Sequence, residues 1–318
     1  MLGKPCKVMV TGATGFVGAH LLKSLIALER FDAVPCVRRN MSGALGMDNA
    51  VLVGDINGTT DWKEALSNVD VVVHVAARAH VGKEPVADPL ILYRQVNVEG
   101  TLNLARHAAK AGVQRFIFIS SIGVNGNANT RPFTVNDGPD PRDPYAKSKW
   151  EAEQGLWEVQ QKTGMEIVII RPPLVYGPGA PGNFGRLVTW VERGIPLPLG
   201  AIHNRRTLVG IDNLVDLILH CTCHPAAANQ VFLAGDAEDL STTALLRQVA
   251  IAKGRSARLI PVPARLLELL LILLGKRAMA QRLLGSLQVD ITRTCELLDW
   301  KPPYTVKEGL ARCFIDSL

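Results

Sequence analysis

The chain is predicted to fold as a doubly wound parallel α/β sheet with a smaller α/β part toward its C-terminal end. Three observations carry that expectation. A short β-favouring run, 7–10, passes through a glycine turn into an apolar run at helical spacing, 19–26. Strand-like and helix-like stretches then alternate until a fifth strand ends at residue 119. The strand at 70–75 is apolar nearly throughout, as a strand covered on both faces must be.

The first turn reads Thr11-Gly12-Ala13-Thr14-Gly15-Phe16-Val17-Gly18. A helix N-terminus offers unpaired N–H groups and the positive end of a dipole, which together bind phosphate. Gly12 permits the tight turn, Gly15 lets a pyrophosphate approach the backbone, and Gly18 lets the helix pack closely on the strand. The second strand, 33–38, delivers Arg38 and Arg39. A dinucleotide fold of this kind ordinarily places an acid there for the adenosine 2′-hydroxyl. A guanidinium instead suits a 2′-phosphate, which predicts NADP(H), with NAD(H) as the alternative. The third strand, 51–54, ends in Asp55-Ile56, where the carboxylate either meets the adenine amino group or caps a turn. Asp61 is placed as the N-cap of a following helix. The fourth strand ends in Ala76-Ala77, small enough to leave room for a ligand. One helix is expected from Pro89 to Ala111, containing Asn97, and the fifth strand, 115–119, runs into Ser120-Ser121.

Residues 125–143 are polar and turn-rich, a loop long enough to suspect a function. A helix from Pro144 to about Thr163 follows, with Tyr145 and Lys149 four apart on one face. A free tyrosine titrates near pH 10, and a neighbouring ammonium lowers that value by favouring the phenolate. Tyr145 and Lys149, with a hydrogen bond from Ser121, make a general acid/base beside an oriented carbonyl.

The bulk composition fits this reading. At 318 residues the chain can bury a sizeable core as one large or two modest parts. Its net charge of +6 comes from scattered Lys and Arg, which suits an anionic small substrate better than nucleic acid. No long apolar run follows Met1, so a cleaved signal is not expected. The longest apolar run, 266–274, is broken by Glu268 and too short to span a bilayer. It reads as a buried helix, with a helix on a membrane surface as the alternative. The six cysteines show no framework spacing, and His220-Cys221-Thr222-Cys223-His224 has no second ligand pair, so a reduced cytoplasmic protein without a metal is expected.

In combination, Thr11-Gly12-x-x-Gly15-x-x-Gly18, Asp55, Ala76-Ala77, Asn97, Ser120-Ser121, Tyr145-x-x-x-Lys149 and Arg171-Pro172-Pro173-Leu174-Val175-Tyr176-Gly177-Pro178 resemble the extended short-chain dehydrogenase/reductases that act on nucleotide sugars. The resemblance covers essentially the whole chain. It implies a Rossmann-type nucleotide-binding part over 1–175 and an interleaved nucleotide-sugar part over 176–318. It makes Tyr145 the acid/base, Lys149 the holder of the nicotinamide ribose, and Ser121 the partner of the reacting sugar oxygen. Pro172 and Val175 would flank the nicotinamide. The implied cofactor set further takes in Gly12, Thr14, Gly15, Phe16, Val17, Gly18, Arg38, Arg39, Asp55, Ile56, Ala76, Ala77, Arg78 and Asn97. Asn183 and Arg206 resemble the residues that meet the sugar diphosphate, and members often pair through two helices, here 89–111 and 144–163, giving a homodimer.

The family holds 4,6-dehydratases, 4-epimerases and ketoreductases. Dehydratases carry an Asp-Glu pair after the active-site hydroxyl residue, where this chain has Ile122-Gly123. Arg38 and Arg39 favour a reductase that takes fresh NADPH over an epimerase that keeps its NAD. The chain looks similar to bacterial polysaccharide-locus enzymes that reduce UDP-4-keto-6-deoxy-N-acetylhexosamines at C4. A UDP-N-acetylhexosamine 4-epimerase, or its lipid-linked counterpart, is the alternative. A non-catalytic nucleotide sensor on the same fold is a third reading, disfavoured by the complete Ser121, Tyr145 and Lys149 set.

Overall fold

Val8, Met9 and Val10 have no exposed surface, and they form the middle of strand β1 (Cys6–Thr11). Val8 and Val10 join one apolar cluster and Met9 another, so β1 is covered on both faces, as its unbroken apolar run requires. The computed structural model describes residues 4–39, 49–79 and 88–315. In it β1 pairs in parallel with β2 (Phe31–Val37), and β3 (Val51–Leu52) adds outside β2. On the other side follow β4 (Val71–His74), β5 (Arg115–Ile119) and β6 (Glu166–Arg171), again all parallel. The order reverses between β1 and β4, and a ligand crevice is expected at the carboxyl ends of strands around such a reversal. The doubly wound prediction matches this sheet.

Helix α1 (Phe16–Ile26) follows the glycine turn. The helix expected at Pro89–Ala111 is instead three segments: α2 (Pro89–Arg94), a π-helical turn Gln95–Gly100, and α3 (Thr101–Lys110). The last residue of the π-helical turn lies against the segment that follows β3. A Cβ on Gly100 would lie 2.6 Å from Ile56 Cγ2. The helix placed after Asp61 is also absent. Asp61 does accept from the Lys63 N–H at 3.0 Å, but only turns follow. Asn68, at φ 55°, stops them because left-handed backbone cannot continue a right-handed helix. Helix α4 (Pro144–Thr163) agrees with the prediction to the residue. Its start has proline in the first turn and an Asp143 carboxylate accepting from Ala146 N–H at 2.9 Å. Its end has Gly164 in the left-handed region.

Beyond α4 the chain alternates between two sheets. β7 (Leu174–Tyr176) leaves the large sheet, and α5 (Gly182–Glu192) and β8 (Arg206–Gly210) follow. After α6 (Ile211–Cys223) the chain returns with β9 (Gln230–Leu233), which pairs in parallel with β6 as the seventh strand. β10 (Asp239–Leu240) then joins β8 and β7 in a three-stranded sheet. Helices α7 (Thr242–Ala252), α8 (Ala264–Leu273), α9 (Arg277–Leu284), α10 (Thr292–Leu298) and α11 (Val306–Arg312) complete the C-terminal part. A third apolar cluster lies beneath the small sheet.

The glycine turn and α1 approach each other closely at Gly18. A Cβ on Gly18 would lie 2.1 Å from the Gly12 carbonyl oxygen, and backbone cannot move aside as a flexible side chain can. Gly18→Ala is therefore expected to destabilise the fold by at least ~1–3 kcal/mol, read as a lowered urea midpoint with an unchanged slope.

Candidate active site

A cleft of about 1320 Å³ opens at the carboxyl ends of β1, β2, β4 and β5. It is larger than the ~300–1,000 Å³ of a common small-molecule site, so it has room for a dinucleotide and part of a second ligand. Its floor is the turn Gly12, Thr14, Gly15, Phe16 and Val17. Gly12 has φ 68°, and a Cβ there would meet the Ala76 nitrogen at 2.8 Å. Gly15 stands at the N-cap of α1 with no side-chain cap, so the first N–H groups of the helix are left for a ligand. This cradle fits a pyrophosphate, and a side chain at Gly12 would collide with the backbone of Val75 and Ala76 at its wall. Gly18 sits behind the floor as the packing residue.

At one end, Arg38 and Asp55 face each other with Nη1 and Oδ1 3.7 Å apart, and their side chains are 67% and 81% exposed. An ion pair that exposed contributes little, so either group is free to turn to a ligand. Ile56 lines the wall beside them, whereas Arg39 is exposed and outside the lining. Ala76, Ala77 and Arg78 form the opposite wall. Asn97 does not reach the cleft. Its Oδ1 accepts from the Arg78 N–H at 2.8 Å, and its Nδ2 donates to the Arg78 carbonyl at 3.1 Å and to Ser148 Oγ at 2.9 Å. It clamps the wall to α4 from behind.

His74, also missed by sequence reasoning as part of the site's frame, orders the same region. The Ala76 N–H donates to Thr11 Oγ1 at 3.2 Å, which donates to His74 Nδ1 at 2.7 Å. His74 Nε2 then donates to Thr101 Oγ1 at 2.9 Å, and Thr101 donates to the Asn97 carbonyl at 2.8 Å. The direction is fixed because each hydroxyl has one proton to give. Burial, aided by the Lys149 charge, pushes the His74 pKa down to about 3, so the ring stays neutral and Nδ1 can accept.

At the other end stand Ser121, Tyr145, Lys149, Pro172 and Val175. Ser120 Oγ donates to the buried Glu153 and is committed to the interior. Ser121 Oγ accepts from the Gly123 N–H at 3.1 Å and keeps its own proton for a ligand. The Lys149 ammonium is buried. It donates to the Ile119 carbonyl at 2.8 Å and lies 4.4 Å from the Phe118 ring centroid and 6.0 Å from that of Tyr145. The expected lowering of the Tyr145 phenol is not present in this geometry. Burial, then the Asp143 charge and Tyr93, push its pKa well above the ordinary value, and the Lys149 ammonium is bonded to a carbonyl instead. Tyr93 stacks edge-on against Tyr145 with centroids 6.0 Å apart.

Behind this end is a buried network that the sequence reading missed. Arg171 Nε donates to Glu153 Oε1 at 3.0 Å, Nη2 to Oε2, and Nη1 to Asn125 Oδ1 at 3.0 Å. Glu153 lies four residues after Lys149 and eight after Tyr145, so the helical spacing that identified that pair points to it as well. Asn183 and Arg206 are not in the cleft lining. Asn183 is exposed near the start of α5, two residues beyond Pro181, which does line it. Arg206 is half-buried with Nη1 on the Gly285 carbonyl at 3.0 Å, and burial disfavours its charge. His220 Nε2 bonds the Leu298 carbonyl, and His224 Nδ1 accepts from the Ala226 N–H. Among the described residues no group of three His, Cys, Asp or Glu is placed to hold a metal.

Lys149 supplies a measurable signature. Burial, opposed by the Glu153 charge, takes its pKa from 10.5 down to about 7. Between those values the folded chain binds fewer protons at this site than the unfolded chain, so this group makes stability rise with pH across that window. Lys149→Met is expected to remove the rise. Its stability relative to the parent should be most favourable below pH 7 and fall toward pH 10.5, as read by urea unfolding across that range.

The profile of the NAD dependent epimerase/dehydratase family matches residues 8–235. The chain is 49% identical to "UDP-glucose 4-epimerase" of Vibrio cholerae, over 98% of this chain and 97% of that one. It is 28% identical to the N-acetyl-alpha-D-glucosaminyl-diphospho-ditrans,octacis-undecaprenol 4-epimerase of Escherichia coli O157:H7, over 96% and 93%. Among solved structures, UDP-glucuronic acid 4-epimerase from Bacillus cereus with NAD superposes with a TM-score of 0.78 at 21% identity, covering 96% of each chain. UDP-glucose 4-epimerase from Thermotoga maritima with UDP-glucose gives 0.77 at 23%, covering 98% and 99%. The extent of the profile match and the full-length likeness to the Vibrio protein show that this chain belongs to the NAD-dependent epimerase/dehydratase family of enzymes acting on nucleotide sugars.

Proposed function

We propose that this chain reduces the C4 ketone of a UDP-4-keto-6-deoxy-N-acetylhexosamine with NADPH, giving UDP-N-acetylfucosamine or UDP-N-acetylquinovosamine. The observation that carries the reading is one cleft with a glycine cradle at its floor, Arg38 at one end, and Ser121, Tyr145 and Lys149 at the other. A nicotinamide bound at the Pro172 and Val175 end would supply the hydride. Burial raises the Tyr145 pKa, so the phenol is protonated at neutral pH and has a proton to give to the oxygen on C4. The Ser121 hydroxyl holds that same oxygen. The Lys149 ammonium, its centre 6.0 Å from the Tyr145 ring centroid, steadies the phenolate left when Tyr145 gives up its proton. Ile122 and Gly123 beside Ser121 offer no acid or base for eliminating water, so dehydration is not supported.

Arg38 supports the choice of cofactor, since β2 delivers a guanidinium and no acid to the mouth of the cleft. Asn183 and Arg206 are proposed for the sugar diphosphate. Arg206 bonds a neutral carbonyl while its charge is disfavoured by burial, so an anionic phosphate would relieve it. A second reading, C4 epimerisation with retained NAD, is favoured by the name of the Vibrio relative.

The deciding measurement is loss of reduced-nicotinamide absorbance with UDP-4-keto-6-deoxy-N-acetylglucosamine, set beside chromatography of any cofactor released from the purified protein. Stoichiometric NADPH consumption by protein carrying no cofactor is the expected result. Released NAD together with interconversion of C4 epimers would replace reduction by epimerisation. Tyr145→Phe is expected to bind cofactor normally and lose ~10²–10⁴ in turnover. Replacing Arg38 and Arg39 by Ala should weaken NADPH at least tenfold more than NADH, by fluorescence titration; equal weakening would remove the reason for preferring NADPH.

A further inference from the structure

Helix α8 is apolar around most of its circumference, but the chain covers only one side. Leu267 is buried and Leu271 half-buried, four apart, against the C-terminal core. Leu266, Leu269, Leu270 and Leu273 recur at i, i+3, i+4 and i+7 and stand 50%, 55%, 47% and 74% exposed. Ile272 and Leu274 extend the exposed surface. A helix apolar on all sides is ordinarily enclosed, and a contiguous exposed apolar stripe marks a surface that meets something.

The surrounding charge says what it meets. Residues 255–282 hold Arg255, Arg258, Arg265, Lys276, Arg277 and Arg282 against the single acid Glu268. This stretch carries +5 of the chain's net +6, so the remainder is close to neutral. All six cations are exposed. Exposed leucines flanked by arginine and lysine have the make-up of a segment lying in the headgroup layer of an anionic bilayer. A second copy of this chain fits less well, because a two-fold contact would set the same cations against each other. The ten residues of α8 span roughly 15 Å, half the hydrocarbon thickness, and no described helix is long and apolar enough to cross a membrane.

We propose that α8 and α9 dock this protein on an anionic lipid surface. The outer leucine stripe enters the boundary between headgroups and acyl chains, and the flanking arginines and Lys276 meet lipid phosphates. The hairpin leads into Gly285, whose carbonyl holds Arg206, and Gln281 of α9 bonds Asn127 of the 125–143 loop at 2.8 Å. Docking therefore sets the C-terminal side of the molecule on the lipid, whatever reaction the cleft performs.

The test is co-sedimentation of the full chain with phosphatidylcholine vesicles, with and without phosphatidylglycerol, at low and moderate salt. Binding at least tenfold stronger to the anionic vesicles, and weaker as salt rises, is expected. Leu269→Glu with Leu273→Glu should reduce that binding at least tenfold while melting temperature and nucleotide binding stay unchanged, since both side chains face solvent. Arg277→Glu with Arg282→Glu should do the same through charge. Failure to bind phosphatidylglycerol vesicles, or equal binding to both compositions, would overturn the proposal. So would a drop in sedimentation-equilibrium mass in the leucine double variant without any vesicle binding by the parent, which would make this face a contact between copies.

Discussion

The ion pair between Glu153 and Arg171 holds in place the end of the cleft where Ser121, Tyr145 and Lys149 stand. It ties the middle of α4 to the last residue of β6, and Ser120 and Asn125 close the same network from the loop after β5. The two elements that supply Ser121, Tyr145 and Lys149 are thereby fixed to each other and to β6. Such a pair is poor evidence of stability, because taking two charges out of water costs about what their attraction returns. Its value here is positional. Each guanidinium nitrogen has one assigned acceptor, so α4 can neither slide nor rotate without leaving a buried charge unmatched. The Lys149 ammonium one turn away then sits in a field set by a carboxylate that cannot move.

Much of this architecture was legible because the determining signals are local. The two-sided burial of β1 and β4 shows in their apolar runs, and α4 is bounded by Asp143-Pro144 and Gly164. The cleft floor was equally readable, since Gly12 and Gly18 answer to close backbone approaches that no other residue tolerates. What escaped depends on partners distant in sequence. The π-helical turn at Gln95–Gly100 follows from Asn97 reaching Arg78 and from Gly100 meeting Ile56, and neither contact leaves a mark on the helical periodicity of 89–111. Asp61 has a capping residue's chemistry without a helix, because Asn68 ends the turns. The phenol of Tyr145 was expected to be lowered by Lys149. The spacing correctly put both on one face, but spacing does not reveal that the ammonium would be spent on the Ile119 carbonyl.

Arg39, Asn97, Asn183 and Arg206 illustrate a second limit. Each was named for a ligand, and none lines the cleft. Arg39 lies just beyond the turn of backbone that presents Arg38. Asn97 works from behind the wall, and Arg206 is held back by Gly285. A motif fixes residue type and order along the chain, whereas the lining of a cleft is decided by which side of an element faces it.

The return of β9 to the large sheet has a consequence for how the protein is made. β6 is apolar over its four central residues, Ile167 to Ile170, and its outer edge is covered only when Gln230–Leu233 arrives. Synthesis must therefore pass Leu233, and the ribosome must release that segment, before the sheet can close. Until then β6 offers an unpaired apolar edge to any neighbouring chain. A nascent or truncated chain that stops after β7 carries every residue of the glycine turn and the Tyr145–Lys149 pair, yet it leaves one edge of β6 without its partner strand.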